Sequence, residues 1–168
     1  MSKYSRVLAV LPLMIAFSAR AEDTALRNTF EQRYAVMKAA IDTRDEKALA
    51  AMLTPDFVNR DVSGETQNAA QMVEELRRLP EDPRKTTTTT LHSITAEGNR
   101  AVIEQLYDMK TSKATATGDI KNFELRATLT DTWVKDKNTW LCRETVMQRV
   151  DYIVNGQVVA HKERPPGS

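Results

Sequence analysis

An α+β domain, helices first and long strands second, is what the sequence predicts, on three observations. Between Asp23 and Leu79 apolar residues recur at steps of three and four, the spacing that lays one buried stripe along a helix. From Thr86 onward the spacing changes to alternation in β-branched and aromatic stretches, the two-residue period of strands. Short turn signals at Glu97-Gly98-Asn99, Thr117-Gly118-Asp119 and Lys137-Asn138 separate those strands, so the chain should meander as an antiparallel sheet with the helices covering one curved face.

The chain opens with Lys3 and Arg6, an apolar run from Val7 to Phe17, and Ala19 and Ala21 in an A-x-A arrangement. This reads as a secretory signal peptide cut after Ala21, because the run is well short of the roughly 20 apolar residues that a membrane anchor needs. The expected organisation is a signal over residues 1–21, one domain over 22–160 and a flexible tail over 161–168. A periplasmic or secreted location follows, with no stable membrane insertion after cleavage. Cleavage removes Lys3, Arg6 and Arg20 but no acid, which turns the formal charge of +1 into −2. Such a balance argues against a nucleic-acid partner, whose binders usually carry a basic patch. The single cysteine, Cys142, cannot form an internal disulfide and is expected to be a small buried residue of a strand.

Taken in order, Leu26, Phe30, Tyr34, Met37 and Ile41 share one stripe of a first helix over Asp23 to Ile41. A short second helix, "EKALAAML", follows, with Thr43 and Glu46 at capping-box spacing and Pro55 closing it. "DFVNRDVSGE" should be a short strand running into a turn at Gly64. "TQNAAQMVEELRRL" reads as a third helix that packs Ala69, Met72, Val73, Leu76 and Leu79, and "PEDPRK" breaks it. Four strands follow: "TTTTTLHSI", "RAVIEQLYDMKT", "KNFELRATLTDTWVK" and "TWLCRETVMQRVDYIV". The threonine run is β-branched throughout and so reads as a half-exposed strand, not a disordered tract.

One residue resists this pattern. In "LRATLTDTWVK", Phe123, Leu125, Ala127, Leu129, Asp131 and Trp133 fall on one side of a strand, which puts a carboxylate between Leu129 and Trp133. Bare burial of that charge is costly, so Asp131 must be hydrogen-bonded, paired, kept protonated or aimed into a cavity. Two readings stand: a structural acceptor for a neighbouring Thr, Arg or Trp N–H, or a polar group of a pocket. Asp61 can likewise hold its Gly64 turn or serve a site, and Tyr34 can be core or catalyst. Trp133 and Trp140, Tyr107 and Met109 are core residues unless the same face lines a cavity. His92 and His161 are the only histidines, too little for a His-based zinc site or a Ser-His-Asp triad. The five glycines form neither a dinucleotide fingerprint nor a P-loop. No cofactor or metal is expected.

The order of elements, with "YAVMKAAIDTRDEKALAAMLTPDFVNRDVSGE", a helix, and late "TDTWVKDKNTW", resembles the nuclear transport factor 2-like superfamily over nearly all of the domain. The nearest likeness is to its branch of ketosteroid isomerases, SnoaL-like polyketide cyclases and exported domains of unassigned activity. The resemblance implies a cone-shaped, cystatin-like fold in which three N-terminal helices and a strongly curved antiparallel sheet enclose a pocket. It also implies roles. Asp61 matches the general base, and Asp131 matches the acid kept protonated by apolar surroundings so that it can donate to an oxyanion. The oxyanion-donating tyrosine position falls on Met37, with Tyr34 about one turn earlier on the same stripe.

Two functions are therefore expected from the chain. The first is an exported domain that binds a small apolar molecule between helices and sheet, with Trp133, Met37, Tyr107 and Phe57 on its wall. If it is an enzyme, Asp61 would take a proton next to a carbonyl while Asp131 and Tyr34 stabilise the enolate, in a cofactor-free isomerase-, cyclase- or dehydratase-type reaction. The second is a non-catalytic envelope module that forms a homodimer through its sheet or holds a protein partner.

Overall fold

A computed structural model describes the backbone of residues 13–165, with side chains from residue 24. The expected signal's Lys3, Arg6 and most of its apolar run lie outside the described residues, as does the end of the tail from residue 166. Helix α1 spans Leu13–Thr43 and α2 spans Glu46–Ala50. Strands β1 (Leu53–Arg60) and β2 (Thr66–Asn68) follow, then helix α3 (Ala69–Arg78). The remainder is sheet: β3 (Thr86–Glu97), β4 (Arg100–Ala114), β5 (Ile120–Asp136), β6 (Thr139–Val154) and β7 (Gln157–Glu163). The α+β class, helices first, is the observed architecture.

The helix boundaries differ from expectation for local reasons. Helix α1 runs through Thr43, whose hydroxyl donates back to the Ala39 carbonyl, so Thr43 ends one helix and does not cap the next. The chain reverses at Arg44, which takes a left-handed φ of 54°, and Asp45 becomes the cap of α2 by accepting from the Ala48 N–H at 2.9 Å. Pro55 does not close α2. It lies in β1, within the irregular stretch between Leu53 and Val58 where ladder pairing with β6 lapses and a missing N–H costs nothing. Thr66, Gln67 and Asn68 belong to β2, and α3 starts at Ala69 behind a reciprocal cap in which Asn68 and Gln71 each accept from the other's backbone. Leu79, expected to pack, lies just past the helix and is 40% exposed.

The sheet order is β2-β1-β6-β5-β4-β3, with β7 also on β6. From β3 to β6 the strands meander antiparallel, as their turn signals predict. β1 is the exception: it pairs parallel to β6, so the sheet is mixed. One edge of β6 is filled by β5, and the other is shared by β1 over residues 142–146 and β7 over 149–154. The expected flexible tail is thus shortened, because β7 continues through His161 to Glu163. Its fastening includes a 2.6 Å contact of His161 Nδ1 with Asp151.

The stripe of α1 meets the sheet's inner face. Phe30 and Tyr34 pack edge-on against Trp133, at ring separations of 5.7 and 5.4 Å. Met52, Leu53, Phe57, Leu91, Ala101, Ile103, Trp140 and Cys142 join them in this main cluster. Burying each large apolar side chain contributes about 1.5–3 kcal/mol, so the layer fixes α1 across the sheet. Cys142 is buried, as expected of an interior strand.

Candidate functional site

Strand pairing places Asp131 between Ile103 of β4 and Thr145 of β6, all on the face that α1 covers. Five rows follow one another along this face, and the fourth is closed again at Ala127 and Val150, which pack with Val62. Ala101, Trp133 and Cys142 form the closed end, followed by Ile103 with Asp131, then Gln105 with Leu129 and Met147, then Tyr107, Ala127 and Val150, and finally Met109, Leu125 and Tyr152. Trp133 has no exposed surface, Asp131 has 2%, and Tyr152 at the far end has 41%. Asp131 therefore sits one row above the closed end of an apolar face, referred to below as the funnel, that is half-buried at Leu129, Met147, Tyr107 and Met37.

Its hydrogen bonds are lopsided. The Tyr34 hydroxyl and the Gln105 side-chain N–H both donate to Oδ2, each at 2.5 Å. The Trp133 indole N–H donates in turn to the Tyr34 oxygen at 3.2 Å, which fixes the phenol between two core groups. The other carboxyl oxygen, Oδ1, is inaccessible to solvent and completes no hydrogen bond. Thr145, facing it across the ladder, gives the carboxylate some support. Burial outweighs all three hydrogen-bonding neighbours and raises the Asp131 pKa above the ordinary aspartate value. Burial and the adjacent carboxyl push the Tyr34 hydroxyl far up, so it remains a donor at any working pH. In the neutral acid the proton belongs on Oδ1, because Oδ2 already receives two donors.

The other residues singled out from sequence divide around this cluster. Asp61 does not join it: its Oδ1 accepts from the Ser63 N–H, the Ser63 hydroxyl and the Glu65 N–H, holding the turn in which Gly64 takes φ 92°. The Ser63 hydroxyl, ahead of the turn's N–H groups, lowers the Asp61 pKa, which makes a weaker base. The next residue, Val62, turns inward and packs with Ala127 and Val150. Trp133 and Phe57 are enclosed in the main cluster, while Tyr107 is half-buried and Met37, also half-buried, packs against both the main cluster and the smaller one of Ala40, Leu49 and Leu76. Gln105 was not anticipated. Its signal was its place two residues from Ile103 and two from Tyr107, on the same side of β4. Among the described residues no three His, Cys, Asp or Glu side chains come together as a metal-binding group, and no helix is long and apolar enough to cross a membrane.

Comparison with known proteins agrees with this architecture. Residues 33–161 match the model of the SnoaL-like domain. No curated protein matches the chain significantly. Among solved structures, a putative scytalone dehydratase from Novosphingobium aromaticivorans is similar at a TM-score of 0.66 and 12% identity, covering 86% of this chain and 95% of that one. A hexachlorocyclohexane dehydrochlorinase (LinA) type 2 gives 0.60 and 14%, covering 86% and 97%. The association domain of C. elegans CaMKII gives 0.59 and 11%, covering 75% and 97%. At these identities the structural likeness speaks for fold alone. The family match over residues 33–161 carries the further step: this chain belongs to the SnoaL-like domain family, within the nuclear transport factor 2-like superfamily.

Proposed function

We propose that the domain binds a small, largely apolar molecule in the funnel, and that Oδ1 of neutral Asp131 donates a hydrogen bond to a carbonyl or hydroxyl oxygen of that molecule. The observation that carries this reading is the unfilled Oδ1, on a carboxyl whose other oxygen is doubly occupied, beside an apolar wall that is half-buried at Leu129, Met147 and Tyr107. A buried polar atom without a partner is costly, and a ligand oxygen would relieve it. Names among the similar folds, a dehydratase and a dehydrochlorinase, lend support to a small organic ligand. Asp131 and Tyr34 supply an acid and a fixed donor for any chemistry at the bound oxygen. Asp61, tied into its own turn, is not gathered to act as the base. Binding is therefore the function proposed first, and proton transfer next to a carbonyl would need a base other than Asp61. Export through the N-terminal signal belongs to the same proposal.

Native mass spectrometry of the purified domain, followed by denaturing extraction, tests it. A retained organic molecule should appear in the wild type and be lost when Leu129→Trp fills the funnel. If no retained molecule is found, and a panel of apolar ketones and phenols leaves the Met147 and Leu129 methyl NMR signals unmoved, the reading is wrong.

The rival, a second copy docked on the outer sheet face, draws on Leu106, Val134, Leu141 and Val146, which point away from Asp131 and stay partly exposed, and on the likeness to an association domain. The mass in solution by light scattering decides it: a monomer excludes the dimer without touching the funnel.

A further inference from the structure

Arg33 stands apart from the other half-buried arginines of the domain. Arg44, Arg60 and Arg126 each meet a carboxylate within 3.0 Å, Glu81, Glu144 and Asp108 respectively, while Arg27 donates to the Leu91 carbonyl and Arg164 to the Asp61 carbonyl. Among the described residues Arg33 has neither kind of partner. Its Nε and Nη2 are closed off from solvent, and no acceptor among the described residues reaches either atom. A guanidinium stays charged throughout the accessible pH range, so it cannot escape this position by losing a proton. Burial alone pulls its pKa down, with no acidic neighbour opposing.

The two unfilled atoms are not an arbitrary pair. Nε–H and one Nη–H lie parallel along one edge of the guanidinium and match the two oxygens of a carboxylate in a single bidentate contact. The surroundings narrow the ligand further. Arg33 shares its side of α1 with Phe30, three residues before it, Met37, four after it, and Ala40, seven after it. At Ala40 the same side of the helix packs against Leu49 of α2 and Leu76 of α3. In such apolar company a single negative charge is cheaper to desolvate than a phosphate dianion.

We infer that the flank of α1 facing α2 and α3 is an anion site, in which the Nε/Nη2 edge of Arg33 takes the carboxylate of a small, otherwise apolar acid. This site does not depend on the Asp131 funnel, and either can fail alone.

The test reads the Arg33 Nε–H signal directly by 15N NMR of the wild-type domain, during titration with sodium hexanoate, inorganic phosphate or sodium chloride at matched ionic strength. Hexanoate should move that signal saturably and raise the melting temperature above the chloride control. Arg33→Lys, which keeps the charge but not the fork, should weaken the response by about tenfold, while Arg27→Lys on the same helix keeps it. Arg33→Met should melt higher than wild type in buffer free of carboxylates, since it removes two sealed N–H groups that have no acceptor. Three results overturn the inference: no movement beyond chloride, movement with phosphate but not hexanoate, or a lower melting temperature for Arg33→Met in anion-free buffer. If the Met variant fails to fold, the wild-type titration still decides.

Discussion

Tyr34 and Gln105 both donate to one oxygen of Asp131, so substitutions there sort by which donors they leave unpaired. Asp131→Asn keeps a carbonyl to accept both and puts an amide where Oδ1 was, so it should fold with stability equal to wild type or better at pH 7. Asp131→Leu strands a buried hydroxyl and a buried amide, at about 1–3 kcal/mol each, and the melting temperature should fall by several degrees. Thermal scans of the two variants separate these outcomes, and a comparable loss in both would mean that the carboxylate charge itself is structural. The pH dependence has a definite sign. A carboxyl whose folded pKa is raised contributes its full stability below the unfolded value of about 3.9, and loses it as pH climbs toward the folded value. Wild type should therefore weaken relative to Asp131→Asn on going from pH 4 to pH 7. Close by, Cys142 is 1% exposed and burial, ahead of the Asp131 charge, holds its thiol pKa well above normal. It should label slowly with a thiol reagent in the folded state and at full speed in denaturant. Asp131 and Tyr34 were legible because alternation and helical spacing each fix a face. Gln105 was not, since an amide in a strand looks the same whether it faces water or a buried acid.

Among the elements, those set by local chemistry were legible and those set by distant pairing were not. The β3–β6 meander follows from turn residues adjacent in sequence, whereas the parallel union of β1 with β6 joins segments more than eighty residues apart and leaves no local mark. Two misses did leave marks. Asn68 and Gln71 stand at capping-box spacing, a truer start for α3 than Thr66, and Asn155-Gly156, with φ of 49° and 81°, is the two-residue hairpin signal that returns the chain as β7. β7 protects the sheet by covering the backbone of β6 from Arg149 to Val154, and Arg164 beyond it donates to the Asp61 carbonyl and to Gln148. Ending the chain at Val154 should bare that edge and leave Ile153, now 8% exposed, without its cover. The shortened domain is expected to elute as soluble oligomers or aggregate on size exclusion, at a lower melting temperature. A monomer of unchanged stability would show β7 to be dispensable.

At the scale of the whole molecule, the expected cleavage point after Ala21 falls within helix α1. Leu26 is the first described side chain to pack on the main cluster, and Phe30 is the first wholly buried one, whereas α1 already runs as helix from Leu13. If residues 1–21 are an export signal, the domain has to fold without them, and its stability should not rest on the turns of α1 before Glu22. A cut after Ala21 also leaves Glu22 and Asp23 at the start of the shortened helix, where negative charge favourably meets the N-terminal end of the helix dipole. The form beginning at Glu22 and the full-length chain should accordingly melt within about 2 °C of each other, a shift worth under about 1 kcal/mol at this size. Expressed in a bacterium with its native start, the protein should be recovered outside the cytoplasm with Glu22 as its first residue by mass spectrometry. A mature product that retains Met1 would remove export from the proposal. A large loss of stability on deleting residues 1–21 would mean instead that this segment is a working part of the domain.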